Sequence, residues 1–286
     1  KKAFKHKNNY VVNISNISDF KDWKLHFNKI DVLIHTAAKK NNLNKDNIKN
    51  SVTQFTDINK ISTLKIANQA IKSGVKKFIF LSTVKVNGEN TKNGDLFSTN
   101  SKFNPIDIYG KSKLEAEKGL NKLSKNNNNM DIIVLRLPIV YGPNVSENFL
   151  SLINLINMQL PLPFGNLNHN RRSFLSTYNL CDFINCIIKN KEFLNTTFYV
   201  TDDDDLSTKK LILTIGKITK KRVLLIPIPE YIIRFVLRLI NRKNYAKKLL
   251  GNLEVDISYT KTRLKWKPPL NFEKSLEKSL IEEYKN

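Results

Sequence analysis

Four short apolar runs constrain the fold of this chain more than any other feature of its sequence. Each run is nearly continuous, and helical patterns separate one from the next; they lie at residues 10–14, 30–38, 78–81 and 131–136. Strands that are buried on both faces have this composition, because helices cover both faces of a parallel sheet. Strands that alternate with helices therefore predict an α/β fold with a doubly wound parallel sheet.

A tyrosine and a lysine with helical spacing are the first candidates for chemistry. Tyr109 and Lys113 lie four positions apart in a strongly helix-forming segment, which places both side chains on one helical face. An ammonium one turn away favours the phenolate, so we expect a lowered pKa for Tyr109 and a role as a base. Alone, this spacing is typical of a solvated helix face. Thr83 follows the apolar run at residues 78–81, at the expected end of that strand, and adds a hydroxyl for the same substrate oxygen.

Three features form a specific motif when they occur together: Thr83 at a strand end, the Tyr109-x-x-x-Lys113 pair and the run at residues 135–143. This combination resembles the extended short-chain dehydrogenase/reductase family, in the sugar-nucleotide branch that is similar to UDP-glucose 4-epimerase. The resemblance covers nearly the whole chain. It implies that Thr83, Tyr109 and Lys113 are the catalytic residues, that NAD or NADP is the cofactor and that a UDP-sugar is the substrate.

The same resemblance implies a Rossmann-like NAD(P)-binding domain at residues 1–143, with some later segments, and a smaller C-terminal α/β substrate domain mainly at residues 144–286. Such a domain usually opens with a strand, a Gly-rich turn and a helix whose N-terminus receives the pyrophosphate. Before the predicted catalytic threonine, Gly74 is the only glycine. Residues 10–14 match the family's third strand, with Asn13 at the place of an adenine-recognising Asp. We therefore expect the first strands and the phosphate-binding turn to be missing; a protein that has lost its cofactor is the alternative.

Contacts to the cofactor and the substrate also follow from the resemblance. The implied cofactor contacts are Asn13, Ile14, Thr36, Ala37, Ala38, Asn59, Leu81, Tyr109, Lys113, Pro138 and Val140. The implied substrate contacts are Thr83, Lys85, Asn148, Phe149, Phe164 and Arg172. Small side chains such as those at residues 36–38 let a backbone approach a ligand closely at a strand end. The guanidinium of Arg172 suits a diphosphate because its planar fork donates two hydrogen bonds at once.

Some of these assignments have plain structural alternatives. Arg171 competes with Arg172, and a solvated arginine pair is the third interpretation. Asn59 supports the catalytic loop in relatives, whereas a surface asparagine is the alternative. His35 precedes the small residues and is expected to be a packed structural residue rather than a catalyst.

The residues after Thr83 distinguish reaction types within the family. Sugar-nucleotide 4,6-dehydratases carry acidic residues there, whereas this chain has Val84 and Lys85, so we do not expect dehydration. The resemblance implies that Tyr109 removes the C4 hydroxyl proton while hydride passes to nicotinamide. The expected function is a 4-epimerase or 4-ketoreductase of a UDP-hexose or UDP-N-acetylhexosamine in bacterial surface polysaccharide biosynthesis. The alternatives are an epimerase of a polyprenyl-diphosphate-linked sugar and a non-catalytic cofactor-sensing protein.

The net charge of +23 is large for a chain of 286 residues. Clustered lysine and arginine would predict a nucleic-acid partner. Here the lysines are spread along the chain among asparagines, so we predict no nucleic-acid binding. Anionic UDP-sugars benefit from the charge incidentally.

Metal, disulfide and membrane signals are weak. Cys181 and Cys186 have neither metal nor disulfide spacing, and the acidic run at residues 202–205 is expected to be a solvated loop, so we predict no metal. The two cysteines fit a reducing cytoplasm. No apolar run approaches the roughly 18 residues of a membrane span, which predicts no stable insertion. The basic amphipathic segment at residues 231–250 is expected to pack within the substrate domain, with peripheral membrane contact as the alternative. We also expect a homodimer.

Overall fold

The computed structural model of the protein describes residues 14, 16–18, 22–40, 48–143, 147–192, 194–239 and 243–284. Its strands are β1 (Val32–His35), β2 (Lys77–Thr83), β3 (Asp131–Leu137), β4 (Ile139–Tyr141), β5 (Phe174–Ser176) and β6 (Thr197–Tyr199). Its α-helices are α1 (Ile48–Thr56), α2 (Thr63–Lys72), α3 (Ile108–Lys125), α4 (Glu147–Asn157), α5 (Thr177–Lys189), α6 (Thr208–Ile218), α7 (Glu230–Leu239), α8 (Lys243–Leu250), α9 (Ser258–Leu264) and α10 (Phe272–Tyr284). A π-helical turn, Asp57–Ser62, joins α1 to α2.

The main sheet is parallel, with the strand order β1-β2-β3-β6. His35 at the end of β1 lies opposite Phe80, and Thr83 at the end of β2 lies opposite Leu137. All of β3 is buried. The doubly wound parallel sheet predicted from the apolar runs is confirmed.

Helices cover both faces of this sheet because neighbouring strand residues point to opposite sides. On one face, Phe78 of β2 packs with Ala67 of α2 and Leu120 of α3. On the other face, Ile79 packs with Phe183 of α5. The near-continuous apolar sequence of the strands follows from this two-sided burial.

Strand β1 lies at an edge of the described sheet, where it pairs with β2. Ile34 in this strand is 41% exposed. The strand predicted at residues 30–38 is shorter than expected, because residues 36–38 have already left the sheet. Most of the strand predicted at residues 10–14 lies outside the described residues; Ile14 is half-buried and outside any strand.

A second core surrounds the two-stranded parallel sheet of β4 and β5. We call its four packed rings the aromatic core: Tyr141, Phe149, Phe174 and Phe272. The centroid of the Tyr141 ring lies 5.5 Å from that of Phe149 and 4.8 Å from that of Phe272. Helices α4, α6, α7, α8 and α10 contribute to the same core. Since β6 then returns to the main sheet, the domain boundary near residue 143 stays a prediction.

Candidate active site

The first turn of α3 carries Tyr109 and lies against the turn that follows Thr83. Asp107 caps this helix, since its side chain accepts a hydrogen bond of 2.6 Å from the backbone N–H of Gly110. A Cβ at Gly110 would lie 2.9 Å from the carbonyl oxygen of Lys85, which is too close. Glycine therefore allows the start of the helix to approach the end of β2.

Lys113 is fixed inside the protein rather than on a solvated helix face. It is 1% exposed, and its Nζ donates a hydrogen bond of 2.7 Å to the carbonyl oxygen of Leu81. The same ammonium lies 4.2 Å from the centroid of the Phe80 ring. Burial lowers the pKa of Lys113 to about 7, although the negative charge of Glu117 opposes the shift. Lys113 thus ties α3 to β2 two residues before Thr83.

Tyr109 is half-buried, and its acidity differs from the expectation drawn from the sequence. Burial raises the pKa of Tyr109 to about 12, and the negative charge of Asp107 adds to the rise. The expected lowering of this pKa by Lys113 is therefore wrong. The Lys113 ammonium donates its hydrogen bond to the carbonyl oxygen of Leu81. Burial of the phenol therefore has a larger effect on the pKa of Tyr109 than a lysine one helical turn away. At neutral pH the phenol holds its proton.

Asn59 links the loop after β1 to the helix that carries Tyr109. Its buried side chain accepts a hydrogen bond of 2.8 Å from the backbone N–H of Lys39 and donates to the carbonyl oxygen of Lys39 at 3.0 Å. It also donates to Ser112 Oγ at 2.8 Å, and Ser112 in turn donates to the carbonyl oxygen of Tyr109 at 2.8 Å. The surface alternative for Asn59 is thus wrong. Its direct contact with a cofactor stays a prediction.

Three strand ends bring other predicted cofactor residues to one edge of the sheet. Because β1, β2 and β3 are parallel neighbours, their carboxyl ends lie at one edge, where Thr83 ends β2 and residues 36–38 and Pro138 follow β1 and β3. Thr36 and Ala38 are exposed there, while Ala37, Leu81, Pro138 and Val140 are half-buried. Ligands of open α/β sheets bind at this edge. Contact of these residues with the nicotinamide half of a dinucleotide stays a prediction; Asn13, predicted for the adenine half, lies outside the described residues.

His35 is a packed structural residue, as predicted. Its Nε2 lies 2.8 Å from Thr63 Oγ1, and its ring stacks against Phe78 and Phe80. Burial lowers the pKa of His35 to about 4, and the charge of Lys113 contributes to the shift.

Lys85, predicted to contact substrate, forms ion pairs in the turn that follows β2. Its Nζ pairs with Asp107 and lies 3.3 Å from Glu89 Oε1. Burial opposes a charged Lys85, but the hydrogen bond and the charge of Asp107, together with Glu89, raise its pKa. Asp107 therefore serves both as the cap of α3 and as the partner of Lys85.

The remaining predicted substrate residues lie around the second core. Phe149 and Phe164 are 4% and 8% exposed and belong to that core, so the structure gives both a packing role. Asn148 precedes Phe149 in α4, and its side chain is outside the part of the protein described. Contact of these three residues with substrate stays a prediction.

Arg172 is buried, which excludes the interpretation as a solvated arginine pair. Its guanidinium donates a hydrogen bond of 3.0 Å to the carbonyl oxygen of Gly251. Burial lowers the pKa of Arg172 to about 10, against the opposing charge of Glu89. Arg171, by contrast, is exposed.

A buried ionic network between α3 and the strands β2 and β3 was not predicted from the sequence. Arg136 forms a forked pair with Glu117 of α3, its closest approach being 2.7 Å, and donates to the Tyr199 hydroxyl at 2.7 Å. Ser82 donates to Glu117, and Tyr199 donates to Asn87 Oδ1 at 2.7 Å. The available signal was a charged residue, Arg136, inside an otherwise apolar strand. The network fixes α3 against β2 and β3.

The acidic run at residues 202–205 is not simply a solvated loop. Asp202 is 3% exposed and accepts hydrogen bonds from the Tyr141 hydroxyl at 2.6 Å and the Asn179 amide at 2.6 Å. Asp203 is exposed. The expectation of a solvated loop is wrong for Asp202, which holds β4 against α5. In the described part of the chain, no cluster of three or more His, Cys, Asp or Glu side chains is arranged to hold a metal ion.

Comparison with known proteins gives a family and several relatives. The sequence model described as the NAD dependent epimerase/dehydratase family matches residues 1–200. The chain is 36% identical over 266 residues to a UDP-glucose 4-epimerase of Vibrio cholerae, across 93% of this chain and 80% of that protein. It is 26% identical over 170 residues to the N-acetyl-alpha-D-glucosaminyl-diphospho-ditrans,octacis-undecaprenol 4-epimerase of Escherichia coli O157:H7, across 59% of this chain and 50% of that protein.

A solved structure has the same fold. The UDP-glucuronic acid 4-epimerase from Bacillus cereus in complex with NAD superposes with a TM-score of 0.72 at 20% identity, across 93% of this chain and 76% of that chain. At that identity the likeness establishes the Rossmann-like architecture.

Proposed function

The chain belongs to the NAD-dependent epimerase/dehydratase family, and from this membership and its site we propose that it is an NAD-dependent 4-epimerase of a UDP-hexose or UDP-N-acetylhexosamine. The observation that carries the proposal is the 36% identity to the Vibrio cholerae UDP-glucose 4-epimerase across 93% of this chain. The positions of Thr83, Tyr109 and Lys113 at the carboxyl edge of the sheet support it. A 4-ketoreductase with NAD or NADP is the other reaction open to the same residues.

In this proposal, Thr83 orients the reacting oxygen of the sugar. Its Oγ1 accepts a hydrogen bond of 3.3 Å from the backbone N–H of Lys85, which leaves the hydroxyl proton for the substrate. NAD, when bound, supplies the hydride acceptor for C4, and its oxidised nicotinamide carries a positive charge. Lys113 and the turns at residues 36–38 and after β3 would hold that cofactor.

Tyr109 exchanges the proton of the C4 hydroxyl. With a pKa of about 12, its phenol is protonated and ready to donate when a 4-keto oxygen is reduced. The oxidation step needs the phenolate, which additional positive charge favours. In this proposal Thr83 holds the reacting oxygen, and Tyr109 accepts or donates its proton.

Arg172 is proposed to bind the diphosphate of the nucleotide sugar. A guanidinium remains charged even with its pKa lowered to about 10, and it still has donors beyond the one given to Gly251. Lys85 is proposed to lie near the sugar, with its charge balanced by Asp107.

A polyprenyl-diphosphate-linked sugar is a second candidate substrate, since the Escherichia coli relative acts as a 4-epimerase on such a carrier. A role in bacterial surface polysaccharide biosynthesis, a homodimeric assembly and a cytoplasmic location stay predictions. So does the assignment of UDP rather than the lipid carrier.

The test is incubation of the chain with NAD and each UDP-hexose or UDP-N-acetylhexosamine, with the 4-epimers separated by chromatography. We expect an equilibrium mixture of epimers without net production of NADH. Net oxidation of NADPH on a 4-ketosugar would assign the reductase instead. If calorimetry shows bound NAD and no UDP-sugar is converted, while an undecaprenyl-diphosphate-linked sugar is, the second candidate replaces the first.

A further inference from the structure

Helix α7 is apolar on two opposite sides. Ile233 is 6% exposed and packs into the second core, with Leu237 against it. On the other side lies a set of exposed apolar side chains, here called the α7 stripe: Tyr231, Ile232, Phe235, Val236 and Leu239. With 3.6 residues per turn, these positions form one continuous band along the helix. Packing within the protein explains the first side of α7 but not the stripe, whose Tyr231 and Leu239 are 72% and 68% exposed.

The stretch of sequence that contains the α7 stripe is strongly basic. Arg234 and Arg238 are exposed on the same helix, and Arg222 is exposed in the segment before it. From residue 217 to residue 248, the basic residues are Lys217, Lys220, Lys221, Arg222, Arg234, Arg238, Arg242, Lys243, Lys247 and Lys248. The one acidic residue of that stretch is Glu230, which pairs with Arg234; Lys217 pairs with Glu273, outside the stretch.

We propose that the α7 stripe docks this protein on the surface of an anionic lipid bilayer. A helix with aromatic and aliphatic side chains on one face and arginine at its flanks lies in the plane of the membrane interface. The acyl boundary accepts the apolar band, and the anionic headgroups attract the cations beside it. Among the described residues, no helix is long and apolar enough to span a bilayer.

Charge distinguishes a bilayer from a second copy of the chain as the occupant of the stripe. Another copy would match the apolar band, but it would bring the same basic surroundings and a net charge of +23. Like charges brought together are repelled, whereas an anionic surface gains affinity from each lysine or arginine near it. This inference does not depend on which sugar the active site accepts.

The first test is co-sedimentation of the chain with vesicles of phosphatidylcholine, alone or mixed with phosphatidylglycerol. We expect binding to the anionic vesicles that weakens as salt is added, because salt screens the cations. Phe235→Ser combined with Leu239→Ser should weaken binding at least about tenfold, given the contribution of each apolar side chain removed from water. The matched control, Leu96→Ser combined with Leu213→Ser, removes two leucines that are 47% and 44% exposed elsewhere and should leave binding unchanged.

The second test removes charge and leaves the stripe intact. Arg222→Gln combined with Arg238→Gln should weaken binding about fivefold per charge and flatten its salt dependence. Circular dichroism melts of every variant separate lost docking from lost folding. The proposal is overturned if the native chain ignores anionic vesicles or if the Phe235 and Leu239 variant binds them as well as the native chain. It is also overturned if those substitutions abolish a dimer of a chain that binds no vesicles, which would assign the stripe to a second copy.

Discussion

The carboxyl edge of the main sheet and the aromatic core are fixed by different forces. At the carboxyl edge, directional contacts set the geometry: Lys113 donates to Leu81, and Asn59 bridges Lys39 and Ser112. The aromatic core is held mainly by the contact area and shape of its rings, and the Tyr141 hydroxyl adds a buried hydrogen bond to Asp202. A buried polar group that loses its partner costs about 1–3 kcal/mol, whereas volume-conserving changes among apolar side chains usually cost less than about 1.5 kcal/mol. We therefore expect the carboxyl edge to tolerate less change than the apolar packing of the aromatic core.

The largest expected effect is on catalysis at the edge. Tyr109→Phe removes the proton that the proposed reaction exchanges, so turnover of the UDP-sugar should fall by about 10²–10⁴-fold. The control is Tyr259→Phe, which removes an exposed hydroxyl and should leave turnover unchanged. Near-native turnover of Tyr109→Phe, with thermal unfolding as in the native chain, would contradict the assignment of Tyr109 as acid and base.

Breaking the buried ion pair beside the edge should affect stability most. Glu117→Ala leaves the Arg136 guanidinium buried without its carboxylate, and removing one partner of such a pair costs about 3–5 kcal/mol. The double variant Glu117→Leu with Arg136→Met replaces both charges by apolar groups and should recover part of that loss, but not all of it, because the buried Ser82 hydroxyl loses its acceptor. Urea unfolding measures both values. Equal losses in the single and the double variant would show that the two charges are not coupled.

Removing one cation, Arg172, should weaken binding of the UDP-sugar more than binding of NAD. Arg172→Ala should weaken binding of the UDP-sugar by about ten- to a hundredfold, the range expected for hydrogen bonds to a charged group, and leave NAD binding nearly unchanged. Arg171→Ala is the matched control, since Arg171 is the exposed neighbour. Calorimetry that finds equal losses for both ligands would reassign Arg172 to structure, through its bond to Gly251.

The sequence predicts which residues lie at the carboxyl edge better than it predicts their pKa values and ion pairs, and the reason is physical. The apolar runs and the helical spacing of Tyr109 and Lys113 are local patterns, and strand and helix geometry convert them directly into positions. The pKa of Tyr109 depends instead on burial and on Asp107, which only the folded chain determines. The pairing of Glu117 with Arg136 is likewise made by packing between two elements. The burial of Phe149 could not be separated from ligand contact, because an aromatic residue in a helix suits both roles.

The smallest expected effect is on the pH dependence of stability, which tests how well the buried edge excludes charge. The pKa of His35 is about 4 in the folded chain, lowered by burial and then by Lys113, and about 6.5 in an unfolded chain. Between those values the unfolded state binds a proton that the folded state does not. The free energy of unfolding should therefore fall as pH falls through this window, by at most about 1.4 kcal/mol per pH unit from this residue.

His35→Gln should be less stable at every pH, because it loses the stacking on Phe78 and Phe80, but its stability should depend less on pH. Urea unfolding of both proteins between pH 6.5 and about 4 isolates the His35 contribution as the difference between their slopes, since the carboxylates are the same in both. Identical slopes would mean that His35 takes up its proton in the folded chain, and that the edge is more open to water and charge than its packing indicates.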